Sequence, residues 1–223
     1  MNLFIKALFN RWRRRLWRAL FFRIRFGEFA SGGGLLAHSR IAPSSCIEGE
    51  QGLVLGDHVF IGQFNFLDAT AGLTIDEGVQ ISNFVSIVTH SSHRSIRLLG
   101  RSYVTHPQPL PGYRSGSIHI GAYSFIGPHS LIEAGAVIGR GAVICAYSQV
   151  RGMVPDFAIM AGAPARQIGD TRARDAELLA LHPELAAHYQ AWAGIDLGPP
   201  LASPVADDPA GLGNGPANGL EPL

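Results

Sequence analysis

Residues 89–117, THSSHRSIRLLGRSYVTHPQPLPGYRSGS, gather His90, His93 and His106 with Arg94, Arg97, Arg101 and Arg114, and contain no acid. An imidazole with an ordinary pKa near 6.5 takes a proton at neutral pH, so a histidine here is suited to act as base toward a very weak acid such as a hydroxyl. His90 and His93 stand at the start of the segment and are the two candidates; a purely structural role for both is the alternative. The acid-free arginines are positioned to meet something anionic. Pro107, Pro109 and Pro111 with Gly112 cannot continue a sheet ladder. A long irregular loop in a compact domain is usually functional or disordered, and its histidine content favours function.

What must hold this loop is legible in the residues around it. From Ile120 the chain reads in sixes as IGAYSF, IGPHSL, IEAGAV, IGRGAV and ICAYSQ, with Ile120, Ile126, Ile132, Ile138, Ile144 and Val150 six apart. Four residues after each aliphatic comes Ser124, Ser130, Ala136, Ala142 or Ser148. No helix of 3.6 residues per turn gives this spacing, and hexapeptide periods mark β-helices. The aliphatic points into a three-sided prism and the small residue fits near a corner. Earlier, Ile41 and Ile47, then Leu55, Ile61 and Leu67, then Ile75, Ile81 and Ile87 keep the same period with two-residue slips, for about fourteen faces and four to five turns. The loop of residues 90–117 is inserted into this coil. No face buries its aliphatic alone, so stacking supplies the core. Cys46 and Cys145 lie within repeats and are expected as buried, inert thiols, with no disulfide framework and a reducing compartment.

The net charge of +1 hides an asymmetry: residues 1–25 carry Lys6, Arg11, Arg13, Arg14, Arg15, Arg18, Arg23 and Arg25 and no acid. Arginines interrupt any signal-peptide core, and no run is apolar enough to span a bilayer. Ile5, Leu8, Phe9, Trp12, Leu16 and Leu20 instead form one helical stripe with the basic residues mainly opposite. That pattern describes a basic amphipathic helix over residues 1–26 lying on anionic lipid; a helix packed on its own coil or on a neighbouring subunit is the alternative. A flexible GEFASGGG connection opens the β-helix domain of residues 27–170. Residues 171–197 form a helical extension divided at Pro183, and residues 198–223, rich in Pro, Gly and Ala, are expected as a disordered tail.

Over roughly residues 41–170 the sequence resembles the hexapeptide-repeat O-acetyltransferases. The resemblance rests on the repeats, on Thr89-His90-Ser91-Ser92-His93 and on the closing Val154-Pro155 … Ala161-Gly162-Ala163-Pro164-Ala165-Arg166. It implies a mainly β fold, a left-handed parallel β-helix, assembled as a homotrimer with active sites between subunits. It also implies acetyl-CoA as donor, no metal, and His90 as base with His93 as its neighbour or substitute. Ala146, Ser148, Arg151 and Arg166 match cofactor-binding positions, although Arg151-Gly152 departs from the family's Thr-Lys. Asn65 and Asp68, in FNFLDA, are candidates for acceptor binding or for orienting the imidazole, with a corner-turn role as the alternative, whereas His106, His119 and His129 are expected as surface or corner residues.

The basic N-terminal segment and the long loop resemble the branch that acetylates bacterial envelope saccharides. The leading expectation is therefore O-acetylation of such a saccharide or its precursor on the inner face of the cytoplasmic membrane, with no nucleic-acid partner. A soluble acetyltransferase for a small sugar or sugar nucleotide is the second reading. A non-catalytic trimeric scaffold or metal-binding β-helix, holding zinc between subunits through histidines, is the third.

Overall fold

The computed structural model describes residues 2–194, so most of the helical extension is covered and the tail of residues 198–223 lies outside the described residues. The chain divides into two compact units, Met1–Thr171 and Arg172–Leu223. In the first unit a helix, α1 (Leu3–Trp17), is capped by the Asn2 side chain and runs into a π-helical turn, Arg18–Phe22. The helix therefore stops short of residue 26, and Leu20 falls in the wider turn rather than in the α-helical stripe. No residue of α1 is buried, and among the described residues no helix is long and apolar enough to cross a membrane. The GEFASGGG segment is not a loose connection. Glu28–Phe29 pairs antiparallel with Leu35–Leu36, and Glu28 Oε1 accepts the amide of Ile41.

The rest of this unit is a coil with three parallel sheets. Sheet I stacks Cys46–Glu48, Phe66–Asp68, Ser86–Ile87, Leu131–Ile132 and Gln149–Val150. Sheet II stacks Leu53–Leu55, Leu73–Ile75, Ile118–Ile120, Val137–Ile138 and Met153–Val154. Sheet III has seven strands, from Arg40–Ile41 through Phe60–Ile61, Gln80–Ile81, Phe125–Ile126 and Val143–Ile144 to Ala158–Ala161, closed by the antiparallel Arg166–Asp170. The coil is longer than the repeat spacing alone suggests. Val154 and Met160 supply two further interior faces in the closing segment, both buried.

Each two-residue strand of the coil puts one aliphatic into the prism, as at Ile61, Ile81, Ile126 and Ile144. The three-residue strands of sheet II bury two each, such as Leu73 with Ile75 and Ile118 with Ile120. Side chains alternate across a strand, so the neighbour of each interior aliphatic faces out. That corrects the expectation for the cysteines: Cys46 is exposed beside Ile47 and Cys145 is half-buried beside Ile144. The small residues are interior corner fillers. Ser124 and Ser130 are buried and donate to the carbonyls of Gly139 and Cys145 on the next turn.

Register continues across the insertion. Ile75 pairs with Ile120, Ile81 with Ile126 and Ile87 with Ile132. The inserted segment is more ordered than an irregular loop. His90–Ser91 pairs antiparallel with Arg114–Ser115, and α2 (His93–Leu99) lies between them.

In the second unit α3 (Arg172–Leu181) and α4 (Ala186–Ala193) are separated by a 3-10 turn that opens on Pro183. Proline's missing donor is harmless in a first turn, which is why the division falls there.

Interior stacking sets a stability cost. Ile126→Ala removes a fully buried side chain from a column that cannot collapse sideways, and should lower unfolding free energy by about 2–5 kcal/mol. Urea unfolding followed by circular dichroism measures it; a loss below about 1 kcal/mol would contradict the column's role.

Candidate active site

Asp68 ends an outward-turning corner of sheet I, and its side chain is only 1% exposed. A buried carboxylate is costly unless hydrogen-bonded, and Asp68 is saturated. Oδ1 accepts the Thr70 amide at 2.9 Å and the Thr70 hydroxyl at 2.6 Å. Oδ2 accepts the Thr89 amide at 2.9 Å and the Thr89 hydroxyl at 2.6 Å. Burial pushes this carboxyl up, but the side-chain and backbone bonds from Thr70 and Thr89 outweigh it and hold the group well below the usual carboxylate range.

His90 sits one coil turn above, with Nδ1 2.7 Å from Asp68 Oδ2. An ionised carboxylate only accepts, so Nδ1 carries the hydrogen and the neutral ring presents the Nε2 lone pair. The imidazole is 39% exposed, and Tyr113 stacks on it with centroids 5.7 Å apart. Thr70 Oγ1 lies 3.4 Å from the same Nδ1. The arrangement holds one nitrogen against a fixed anion and leaves the other free to take a proton. That is the geometry of a positioned general base.

His90 opens onto a cleft at the corner between sheets I and II, also lined by His93, Arg94, Arg114, Glu133 and Arg151. His93 Nδ1 is 2.7 Å from the Ser91 hydroxyl and has no carboxylate partner among the described residues. Arg151 Nε donates to Glu133 at 2.8 Å, and Glu133 also accepts from Gln149. The fold thus brings His90 and Asp68 into contact and puts His93 and Arg151 in the same cleft.

It does not bring the other sequence candidates there. Asn65 is 3% exposed and wholly engaged within the coil. Its amide nitrogen donates to the Gly62 and Ser82 carbonyls, and its oxygen accepts the Val85 amide. Asn65 is a corner residue, with no group left for an acceptor. Ser148 is buried in the prism with no hydrogen-bond partner among the described residues, so its side chain does not face a ligand. Ala146 is exposed at the corner between sheets III and I, one face away from the cleft within the chain. Arg166 lies on the closing strand of sheet III, its guanidinium donating to the Ala165 carbonyl.

Thr70, Tyr113, Arg94 and Arg114 do not stand out individually as site residues in the sequence. For Thr70 a signal exists: Asp-x-Thr favours a local turn in which the carboxylate accepts the backbone amide two residues on. Elsewhere, among the described residues, His38, Asp57 and His58 have side-chain donor atoms within 4.8 Å of one another. Asp57 there already accepts the amides of His38 and His58, the Ser39 hydroxyl and the His38 ring. His119 bonds Asp76 at 2.8 Å, and His129 is stacked between Phe84 and Tyr147 at a corner.

Residues 117–152 match the model of the bacterial transferase hexapeptide (six repeats). A probable acetyltransferase of Mycobacterium tuberculosis is 29% identical over 138 residues, covering 62% of this chain and 44% of that protein. The chain thus spans under half the length of that relative. The dTDP-4-amino-4,6-dideoxy-D-glucose acyltransferase of Escherichia coli is 27% identical over 130 residues, covering 58% of this chain and 67% of the relative. A protein of E. coli K12 named as an O-acetyl transferase of lipopolysaccharide biosynthesis is 27% identical over 146 residues, covering 65% and 70%. These matches fall on a coil of three parallel sheets wound in hexapeptide register, and over residues 117–152 the chain is similar to the bacterial hexapeptide transferases.

Proposed function

We propose that the chain is an acetyl-CoA-dependent O-acetyltransferase for a bacterial envelope saccharide or its precursor, working as a homotrimer with His90 as general base. The observation that carries this reading is the Asp68–His90 pair at the mouth of the cleft, 2.7 Å apart. Relatives named as sugar acyltransferases and as a lipopolysaccharide O-acetyl transferase support the substrate class. In the step proposed, His90 Nε2 takes the proton from an acceptor hydroxyl as its oxygen attacks the thioester carbonyl. The tetrahedral adduct collapses with cleavage of the C–S bond. The imidazolium returns the proton to the departing CoA thiolate, leaving ester, thiol and neutral histidine. Asp68 fixes the tautomer and faces the imidazolium while it lasts. Arg166 and Ala146, both exposed, are left as contacts for CoA outside the cleft, and Arg151 as one at its edge.

The helix α1 is proposed to rest on an anionic membrane surface. Its aromatic and aliphatic residues are exposed, among them Phe4, Trp12 and Trp17, alongside Arg11, Arg13, Arg14 and Arg15. Vesicles containing anionic lipid should bind the full chain and release it as salt rises, because the Debye length falls to about 10 Å at 0.1 M. Deleting residues 1–26 should abolish co-sedimentation; unchanged binding would remove the membrane part of this reading.

His90→Ala should lower kcat by about 10²–10⁴ with little change in the KM for acetyl-CoA, and His93→Ala should cost less. Thiol release measured with a mixed saccharide acceptor gives both numbers. If His93→Ala alone abolishes turnover, the base is His93. If neither does in folded protein, histidine catalysis here is wrong and the scaffold reading gains.

Asp68→Asn tests the partner. Its NH2 group would face hydrogens that the carboxylate oxygen accepts, so at least one of Thr70, Thr89 or His90 loses its acceptor, and kcat should fall about 10²-fold or more. The same variant has a pH signature. A carboxyl depressed in the folded state gives stability that is present above its unfolded value, about 3.9, and is lost as pH falls below it. Wild type should therefore lose Tm more steeply than Asp68→Asn between about pH 4 and pH 2.5. Parallel melting curves in that window would mean Asp68 is not preferentially ionised in the fold.

A further inference from the structure

The cleft beside His90 has a surplus of cations that acetyl transfer to a neutral sugar does not use. Arg151 is paired with Glu133. Arg94, on α2, and Arg114, on the returning strand, line the same cleft and are exposed. Neither makes an ion pair among the described residues, and no second acid lines the cleft. Arg114 is the strand partner of Ser91, while His90 is the partner of Ser115. Paired Cα atoms lie roughly 4.5–5.5 Å apart, so one guanidinium is rooted within a residue of the base. Arg94 follows His90 by four positions, where α2 begins.

We propose that Arg94 and Arg114 form a subsite for a phosphate or diphosphate on the acceptor, so that the saccharide is acetylated as a glycosyl-phosphate precursor rather than as free sugar or finished polymer. This rests on the acetyl-transfer reading above. Two observations favour the acceptor over the donor as source of the anion. First, the base and both arginines share one cleft, and the acceptor hydroxyl must lie at His90. Second, when the thioester carbonyl also lies at His90, the nearest CoA phosphate is about thirteen bonds from the sulfur, on the order of 15 Å when extended. A guanidinium rooted beside the base meets that phosphate only if the arm folds back. A diphosphate joined to the reacting sugar needs no such fold. Paired guanidinium groups also suit phosphate oxygens, which accept several charge-assisted bonds in fixed geometry. The chemistry is shared by nucleotide-linked sugars and by lipid-diphosphate-linked saccharides.

Inorganic pyrophosphate is the first probe, titrated calorimetrically into the full-length protein at about 0.1 M salt, with and without saturating CoA. Wild type should bind it with CoA present. Arg94→Gln/Arg114→Gln should weaken it about tenfold or more, Arg94→Lys/Arg114→Lys by less, and Arg101→Gln, which removes a cation from the same segment, not measurably. Equal loss in Arg101→Gln means diffuse charge and overturns the subsite. Unchanged binding in the double variant means solvated arginines and overturns it too. Complete displacement of pyrophosphate by CoA assigns the arginines to the donor, with the same result.

Turnover then separates the sources: nucleotide-diphosphate sugars in solution, polyprenyl-diphosphate saccharides in detergent micelles, and matched free saccharides, each scored by acetyl mass shift and thiol release. Activity with either phosphate-bearing class and at least about tenfold less with free sugar supports the proposal and names the source. In Arg94→Gln/Arg114→Gln the acceptor KM should rise while the acetyl-CoA KM stays; the reverse split overturns it. Free saccharide used as well as its diphosphate also overturns it. Pyrophosphate binding that needs both arginines, with no thiol release under any acceptor, keeps the anion subsite and sinks the acetyl-transfer reading instead.

Discussion

The structure depends on keeping interior aliphatics in register from one turn to the next. Leu67 pairs with Ile87, and Ile87 with Ile132, although the sequence separation more than doubles at the second step. Loop closure grows only logarithmically with length, so an insertion of this size adds little entropy cost. A shift of one residue would instead turn each affected aliphatic outward and bring its polar neighbour into the prism. The core therefore tolerates the inserted segment and fixes where it leaves. It leaves directly above Asp68, and the pairing of residues 66–67 with residues 86–87 puts Thr89 and His90 over that carboxylate.

A buried anion at such a corner needs donors more than it needs a cation. Asp68 takes four bonds from two threonines, one on its own turn and one on the next. Those bonds keep the carboxyl ionised without the imidazole, so the charge facing Nδ1 does not depend on the protonation state of His90. In the proposed mechanism, a base that must gain and lose a proton in each cycle is then held by a partner that does neither. Tyr113, on the return of the insertion, covers one face of the ring. The inserted segment thus supplies both the imidazole and its cover, while the coil supplies the carboxylate that anchors it.

The coil is legible in the sequence because its period is set by geometry that only one residue in six must satisfy. His90 is legible from its chemistry and its place after Thr89. Asp68 and Asn65 look alike in the sequence because both are polar residues in an aromatic stretch, yet their surroundings differ. Asn65 is taken up by three backbone groups, two of them on the next turn, whereas Asp68 also meets the side chains of Thr70, Thr89 and His90. Telling them apart requires the stride between turns, twenty residues here, which places Asp68 beneath Val88 and so within reach of Thr89 and His90 where the inserted segment begins. The cysteines depart from expectation for a related reason: membership in a repeat says nothing about which side of the strand a residue faces.

A second periodicity is harder to see in the sequence, because no single residue type marks it. Three residues after an interior aliphatic the backbone turns left-handed, at His58, Phe64, Phe84, Tyr123, His129, Tyr147 and Phe157, and at Gly78, Gly135 and Gly141. Side chains there carry a steric cost of roughly 1–2 kcal/mol, so glycine would be the expected choice. At the corner between sheets III and I the opposite residues appear. Phe64, Phe84, His129 and Tyr147 stack in a column at 5.1, 4.9 and 4.8 Å. Aromatic pairs contribute about 0.5–1.5 kcal/mol each beyond burial, enough to offset much of that strain. Elsewhere a ring one turn up takes the space and glycine is required: a Cβ on Gly78 would meet the Tyr123 ring at 2.5 Å. The column also reaches the N-terminal segment, because Phe22 packs edge-on against Phe64 and Gln63 donates to the Phe22 carbonyl. The same corner strain that closes each turn of the coil therefore builds the surface on which the chain leaving α1 is fastened.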